Sequence, residues 1–185
     1  MVRRVLSVVI AGLFLTVGPV WAQSPAARPV IEAIEQNNLT SLKLALMGGE
    51  SANQRDDEGR PALVAAAYLN RYTLMDFLIE QGASLNITYR KTRETAVMVA
   101  AAQGNVEALE VLIEAGADLN KEDRNGESAL IKAVRNGHLT ATRVLVEAGA
   151  DLNQTDYTGR SALVHAEESR EVGIFNYLSQ KGATH

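Results

Sequence analysis

Cysteine is missing from all 185 residues, and histidine occurs only three times. Without cysteine there are no disulfide staples and no lipid anchor attached through a thiol, so cohesion has to come from packing. His138, His165 and His185 never fall at the spacing that places two metal ligands on one helix face, so no zinc site is expected. Basic charge is scarce too: 18 Lys and Arg face 22 Asp and Glu, a formal charge of −4. A nucleic-acid or anionic-membrane partner calls for a basic stripe, which this balance argues against. No Gly-x-Ser-x-Gly turn and no glycine-rich phosphate loop occurs, so neither a serine nucleophile nor a nucleotide cofactor is expected.

Long apolar runs are also lacking. Val5 to Val17 is the main one, and it falls short of the roughly 20 residues that cross a bilayer as a helix. Arg3 and Arg4 precede it, Gly18-Pro19 breaks it, and Val20-Trp21-Ala22 offers small residues for cleavage. That layout predicts a secretory signal peptide over residues 1–22, a flexible lead over 23–28 and a mature chain of formal charge −6 once Arg3 and Arg4 are removed. The expected location is the periplasm, as a monomer with no stable membrane insertion after cleavage.

What the chain does have is a recurring phrase. Gly116-Ala117-Asp118-Leu119-Asn120 returns as Gly149-Ala150-Asp151-Leu152-Asn153, and earlier forms stand at Gly82-Ala83-Ser84-Leu85-Asn86 and Gly49-Glu50-Ser51-Ala52-Asn53. Gly182-Ala183 opens a fifth. The intervals are 33 or 34 residues, the period of a stacked solenoid whose units cannot bury their apolar faces alone. Within residues 121–153, Lys121 to Asn125 reads as a polar turn, Ala129 to Asn136 as a first helix and Leu139 to Ala148 as a second. Ser128 reads as the cap of the first helix, and Gly137 and Gly149 as its breaks. The first break falls in phase at Asn37, Asn70, Gly104, Gly137 and Arg170. Arginine suits a left-handed backbone poorly, so Arg170 predicts a distorted last unit.

With these phrases in place, residues 29–185 resemble an ankyrin-repeat protein. The resemblance implies an all-α solenoid of helix-turn-helix pairs with protruding finger loops. Five repeats are expected over about 29–53, 54–86, 87–120, 121–153 and 154–185. In the family's Thr-Pro-Leu-His phrase the histidine is replaced by Val64, Met98, Ile131 and Val164, which are expected to knit the units by burial. His138 matches the family's Gly-His pair and reads as structural. The triplets beginning at Asn86 and Asn153 look like glycosylation acceptors but fall out of the repeat itself. Glu167-Glu168-Ser169-Arg170-Glu171 reads as the solvated face of the last unit.

The resemblance implies a protein partner docking on finger tips and on the exposed side of the first helices. Carried over by phase, the fingers supply Asp57, Glu58 and Arg60; Lys91, Thr92 and Glu94; Arg124, Asn125 and Glu127; and Tyr157, Thr158 and Arg160. The first helices supply Tyr68, Leu69, Gln103, Arg135 and Asn136. Numbering the fingers by repeat, finger 3 carries a one-residue insertion, bears Tyr89, Arg90 and Lys91, and has Arg93 where the others have glycine, which marks it as a specificity element for an acidic partner. No catalytic, cofactor or metal residues are expected. The function expected is a non-catalytic scaffold or chaperone-like binder, with an immunity or inhibitor protein acting on an enzyme of the same compartment as the alternative.

Overall fold

The computed structural model describes residues 28–184. The expected signal peptide and most of the lead lie outside the described residues. Ten helices follow in order: α1 (Pro29–Glu35), α2 (Leu39–Met47), α3 (Ala62–Tyr68), α4 (Tyr72–Glu80), α5 (Ala96–Gln103), α6 (Val106–Glu114), α7 (Ala129–Arg135), α8 (Leu139–Glu147), α9 (Ala162–Glu168) and α10 (Val172–Gln180). They form five antiparallel pairs. Odd-numbered helices stack on one another from α1 to α9, and even-numbered helices stack from α2 to α10.

Sequence explains the layering. The first helices are built from small and β-branched residues, and six consecutive positions are buried in each of α3, α5 and α7. A helix covered on all sides is one sandwiched between neighbours. Alanine on the shared faces lets successive first helices approach more closely than successive second helices do. The second helices keep a narrower apolar stripe: Ala45, Leu78, Leu112, Leu145 and Leu178 recur in one phase and all are fully buried. Val64, Met98 and Ile131 are fully buried in the histidine phase, as expected, whereas Val164 in the last unit is only partly covered.

Each first helix ends in the same way. At Asn37, Asn70, Gly104, Gly137 and Arg170 the backbone turns left-handed, with φ of 52°, 55°, 67°, 74° and 59°. The two following amides close back onto the helix, as in Arg170 N–H to Glu167 O (3.0 Å) and Glu171 N–H to Ala166 O (2.9 Å). The distortion expected at Arg170 is therefore absent, because the backbone bonds hold the turn whatever side chain it carries. What differs is the space around it. A Cβ on Gly104 would lie 2.6 Å from His138 Nδ1, and one on Gly137 would lie 2.9 Å from Glu171 Oε1. Arg170 has no following unit to meet among the described residues. The last unit is docked: Ile174 and Leu178 are buried, and Thr184 donates its N–H to Asn153 Oδ1 at 2.9 Å.

That last bond belongs to a ladder. Ser84, Asp118 and Asp151 likewise donate their backbone N–H groups to Oδ1 of Asn53, Asn86 and Asn120, at 2.8–2.9 Å. The asparagine closing each repeat phrase thus fastens the loop of the next unit, which accounts for Asn86 and Asn153 structurally. Because all units share one apolar spine, truncating its middle is costly. Leu112→Ala is expected to lose about 2–5 kcal/mol in urea denaturation, with a broadened transition as one end of the array opens first.

Candidate partner-binding face

The fingers are built around an aspartate. Asp56, Asp123 and Asp156 each accept, through Oδ1, the backbone N–H groups two and four residues onward, at 2.7–3.1 Å. Each also receives the N–H of a left-handed glycine, Gly59, Gly126 or Gly159, on its backbone carbonyl. The carboxylate replaces partners that a tight turn would otherwise leave unsatisfied. Fingers 4 and 5 are tied through Tyr157 N–H to Asn125 O (2.9 Å), and fingers 3 and 4 through Arg124 N–H to Thr92 O (3.0 Å).

Finger 3 solves the same problem differently. Tyr89 stands in the aspartate's phase, and its N–H bonds Glu94 O at 2.9 Å across the extra residue. Arg93 takes the glycine's left-handed conformation at φ 63°. Thr92 Oγ1 accepts the Glu94 N–H at 3.3 Å, a role the aspartate plays elsewhere. The insertion changes the junction with finger 2, where side chains make the connection. Tyr89 is buried and donates its hydroxyl to Glu58 Oε2 (2.8 Å), and Lys91 Nζ lies 3.3 Å from the same oxygen. The Arg60 guanidinium sits 4.9 Å from the Tyr68 ring and 5.5 Å from that of Tyr89.

Behind the fingers lies a buried ionic cluster. Lys132 occupies the first-helix phase that is Ala65 in unit 2 and Val99 in unit 3, and only 4% of it is exposed. Its ammonium reaches Asp123 at 2.8 Å, Glu94 at 3.0 Å and Glu127 at 3.4 Å, joining finger 3 to finger 4. Glu94 also accepts the Tyr68 hydroxyl (2.5 Å) and the Thr92 hydroxyl (2.9 Å), and Arg135 pairs with Glu127. Burial works against charge on Lys132, but the Asp123 and Glu94 hydrogen bonds outweigh it and raise its pKa. Burial likewise works against Glu94 ionisation; Tyr68 and Lys132 reverse that and hold it below the usual carboxylate range. One unit later His165 takes the same phase, with Nε2 2.9 Å from Asp156 Oδ2. Burial opposes the Asp156 charge, yet bonds from Thr158, Arg160 and His165 depress its pKa strongly.

The family model for ankyrin repeats (three copies) matches residues 30–123 and 116–185. The chain belongs to the ankyrin-repeat family. Relatives include the ankyrin repeat and KH domain-containing protein mask-1 of Caenorhabditis elegans, 32% identical over 52% of this chain and 4% of that protein. Dauer abnormal formation protein 25 of the same organism is 35% identical over 48% of this chain and 23% of its own length. An L-asparaginase of Dirofilaria immitis is 32% identical over 52% of this chain, but over only 16% of itself. The chain thus spans under a quarter of each of these relatives, and what they share with it is the repeat array. An ankyrin array is a protein–protein interaction module of generally non-catalytic type.

The ankyrin fold sorts the candidate contacts into three groups. Lys91, Thr92, Glu94, Arg124, Asn125 and Arg135 line one hollow of about 370 Å³ between fingers 3 and 4 and α7. Arg124, Asn125 and Arg135 continue into a second of about 360 Å³, whose other walls are Glu127, Tyr157, Thr158 and Arg160. Asp57, Glu58 and Arg60 line a separate hollow near the N-terminal end with Glu32 and Glu35. Leu69, Gln103 and Asn136 are exposed on the first-helix ends, Gln103 and Asn136 bonding the Tyr68 and Lys132 carbonyls. Two candidates are corrected: Tyr89 and Glu127 are buried and serve the fingers from within. Tyr68 is half-buried for the same reason, its hydroxyl committed to Glu94. Lys132, Asp123 and Asp156 were missed; a lysine in a phase held by alanine and valine elsewhere was the available sign.

Removing the central cation leaves Asp123 and Glu94 without a counter-charge and Glu127 with Arg135 alone. Lys132→Met is therefore expected to cost about 3–5 kcal/mol, read by chemical denaturation at neutral pH. Asp156 gives a pH test. A depressed carboxyl stabilises the fold above its unfolded pKa of about 3.9 and loses that contribution as pH falls through its folded value. Asp156→Asn should melt lower than the parent at pH 7, and the gap should close toward pH 2.

Proposed function

We propose that this ankyrin array acts in the periplasm as a non-catalytic scaffold or chaperone-like binder. The reading rests on one observation: exposed side chains from fingers 3, 4 and 5 and from the end of α7 converge on two adjoining hollows. Arg124, Asn125, Tyr157 and Thr158 are all exposed there, while the backbone beneath them is held by finger-to-finger bonds and the Lys132 cluster. A face already fixed before binding loses little freedom on docking, which favours affinity from few contacts. Tyr157, 64% exposed, is the aromatic anchor.

The location is supported by the leader: a paired-arginine start, a short apolar run and a small-residue site before Gln23. No helix among the described residues is long and apolar enough to cross a membrane. The mature protein would act as a monomer on a protein partner.

Expression with the native leader should yield an osmotic-shock product whose mass begins at Gln23. Used as bait, that product should capture a partner that an Asn125→Ala/Tyr157→Ala variant retains at least about tenfold less well, with the variant's melting temperature within a few degrees. Equal retention by both baits would remove this face from binding, and recovery of the uncleaved chain in the cytoplasmic fraction would remove the location.

A further inference from the structure

The central hollows hold charge in an unusual arrangement. Their carboxylates are turned inward: the side chains of Asp123, Glu127 and Asp156 are 3–4% exposed, and that of Glu94 is 13% exposed. Lys132 and His165 engage those oxygens from inside, and the partly exposed Arg135 and Arg160 from the rim. The exposed side chains around them, Lys91, Arg124, Asn125, Arg135, Tyr157 and Thr158, are cationic or uncharged. Arg124 is exposed and has no carboxylate within 4 Å among the described residues; its one bond runs from Nη2 to the Arg90 carbonyl at 2.9 Å. Arg90 flanks the hollows rather than lining them: it is exposed without such a partner, its stem lying over Gly59. Arg135 keeps 44% of its side chain open although one nitrogen is bound to Glu127.

The flanks have the opposite sign. Glu32 and Glu35 stand exposed at the N-terminal hollow and Glu167 at the far end, while Asp57 and Glu168 pair with Arg28 and Arg160. A cationic centre between two acidic shoulders, on a chain with a net negative charge, concentrates anionic groups at one place and repels them from the rest.

Resting on the binding reading above, we infer that the central hollows take an extended protein segment rich in aspartate and glutamate. Its carboxylates lie against Arg124 and Arg135, with Arg90 flanking the path, and Tyr157 covers its apolar stems. Guanidinium groups suit this task because each offers paired donors to a carboxylate. The path is continuous as well: the two hollows adjoin through Arg124, Asn125 and Arg135, so an extended segment crosses three fingers without a break.

The test uses the mature chain and a fluorescein-labelled twelve-residue peptide of alternating Glu and Gly, followed by anisotropy at low salt. The Glu peptide should bind, and its Gln-for-Glu counterpart should bind at least about tenfold more weakly. Arg90→Glu with Arg124→Glu should weaken the Glu peptide by about thirtyfold or more, while Arg143→Glu with Lys181→Glu, an equal charge change on the outer helices, should alter it less than about threefold. Melting curves confirm that both doubles fold, and a milder Arg90→Ser/Arg124→Ser pair stands in should the glutamates unfold it. Equal binding of Glu and Gln peptides, or equal loss in both doubles, would overturn the inference. Tighter binding of a twelve-residue thymidine oligonucleotide at the same arginines would overturn it in favour of nucleic acid. A photo-cross-linker at Thr158 in the native compartment separates this from the broader reading. A protein adduct formed there by a chain indifferent to the Glu peptide sinks only the partner chemistry, whereas no adduct and no peptide binding sinks both.

Discussion

Every feature of this molecule depends on the close approach of its first helices. The alanines of α3, α5 and α7 leave so little bulk between neighbours that each of these helices is enclosed by the units before and after it. No unit of that kind has an inside of its own. Burial of Met98 or Ile131 is a property of two units at once, so the apolar contribution accumulates at junctions rather than within repeats. The fingers inherit their spacing from this. Arg124 reaches the Thr92 carbonyl, and Tyr157 that of Asn125, because the helices behind them are already in step.

A second, polar layer is laid over that spine. Burying four carboxylates beside a partner-facing surface would be prohibitive without cations among them. Lys132 and Arg135 of α7 and Arg160 of finger 5 provide those cations, and His165 of α9 adds a hydrogen bond to Asp156. Aspartates that shape the turns are consumed by backbone amides, leaving arginines as the groups that a visitor meets. Turn construction and surface charge are thus two outcomes of the same set of ion pairs.

Sequence made the array legible and the face only partly so. The repeat phase located the break between paired helices in all five units, and the bounds of α7 and α8 within a residue, because backbone stops have few chemical solutions. The serine caps also held, with Ser128 and Ser161 accepting from Ile131 and Val164. Side-chain direction was harder. Phase puts Glu127 and Arg124 on the same finger, but only three-dimensional proximity to Lys132 and Arg135 turns one inward and leaves the other out. Tyr89 looked like exposed bait for the same reason: nothing local reveals that the Glu58 carboxylate of the previous finger sits within reach of its hydroxyl. Arg170 misled in the other direction, since a rule about intrinsic backbone preference gave way to two amide bonds and open space.

Gly104 and Gly137 are reserved seats: each is kept empty of side chain so that His138 or Glu171 of the following unit can occupy the room. Arg170 fills the corresponding seat at the far end. An occupied seat does not bar a neighbour, since Asn70 fills it with an amide that accepts from Asn105 of the next unit at 2.8 Å, but an arginine is longer, and a helix pair grafted beyond it in the same register would first have to turn that arm aside. Lengthening this protein by design at that end would therefore call for glycine or asparagine at position 170, as at the four interior breaks.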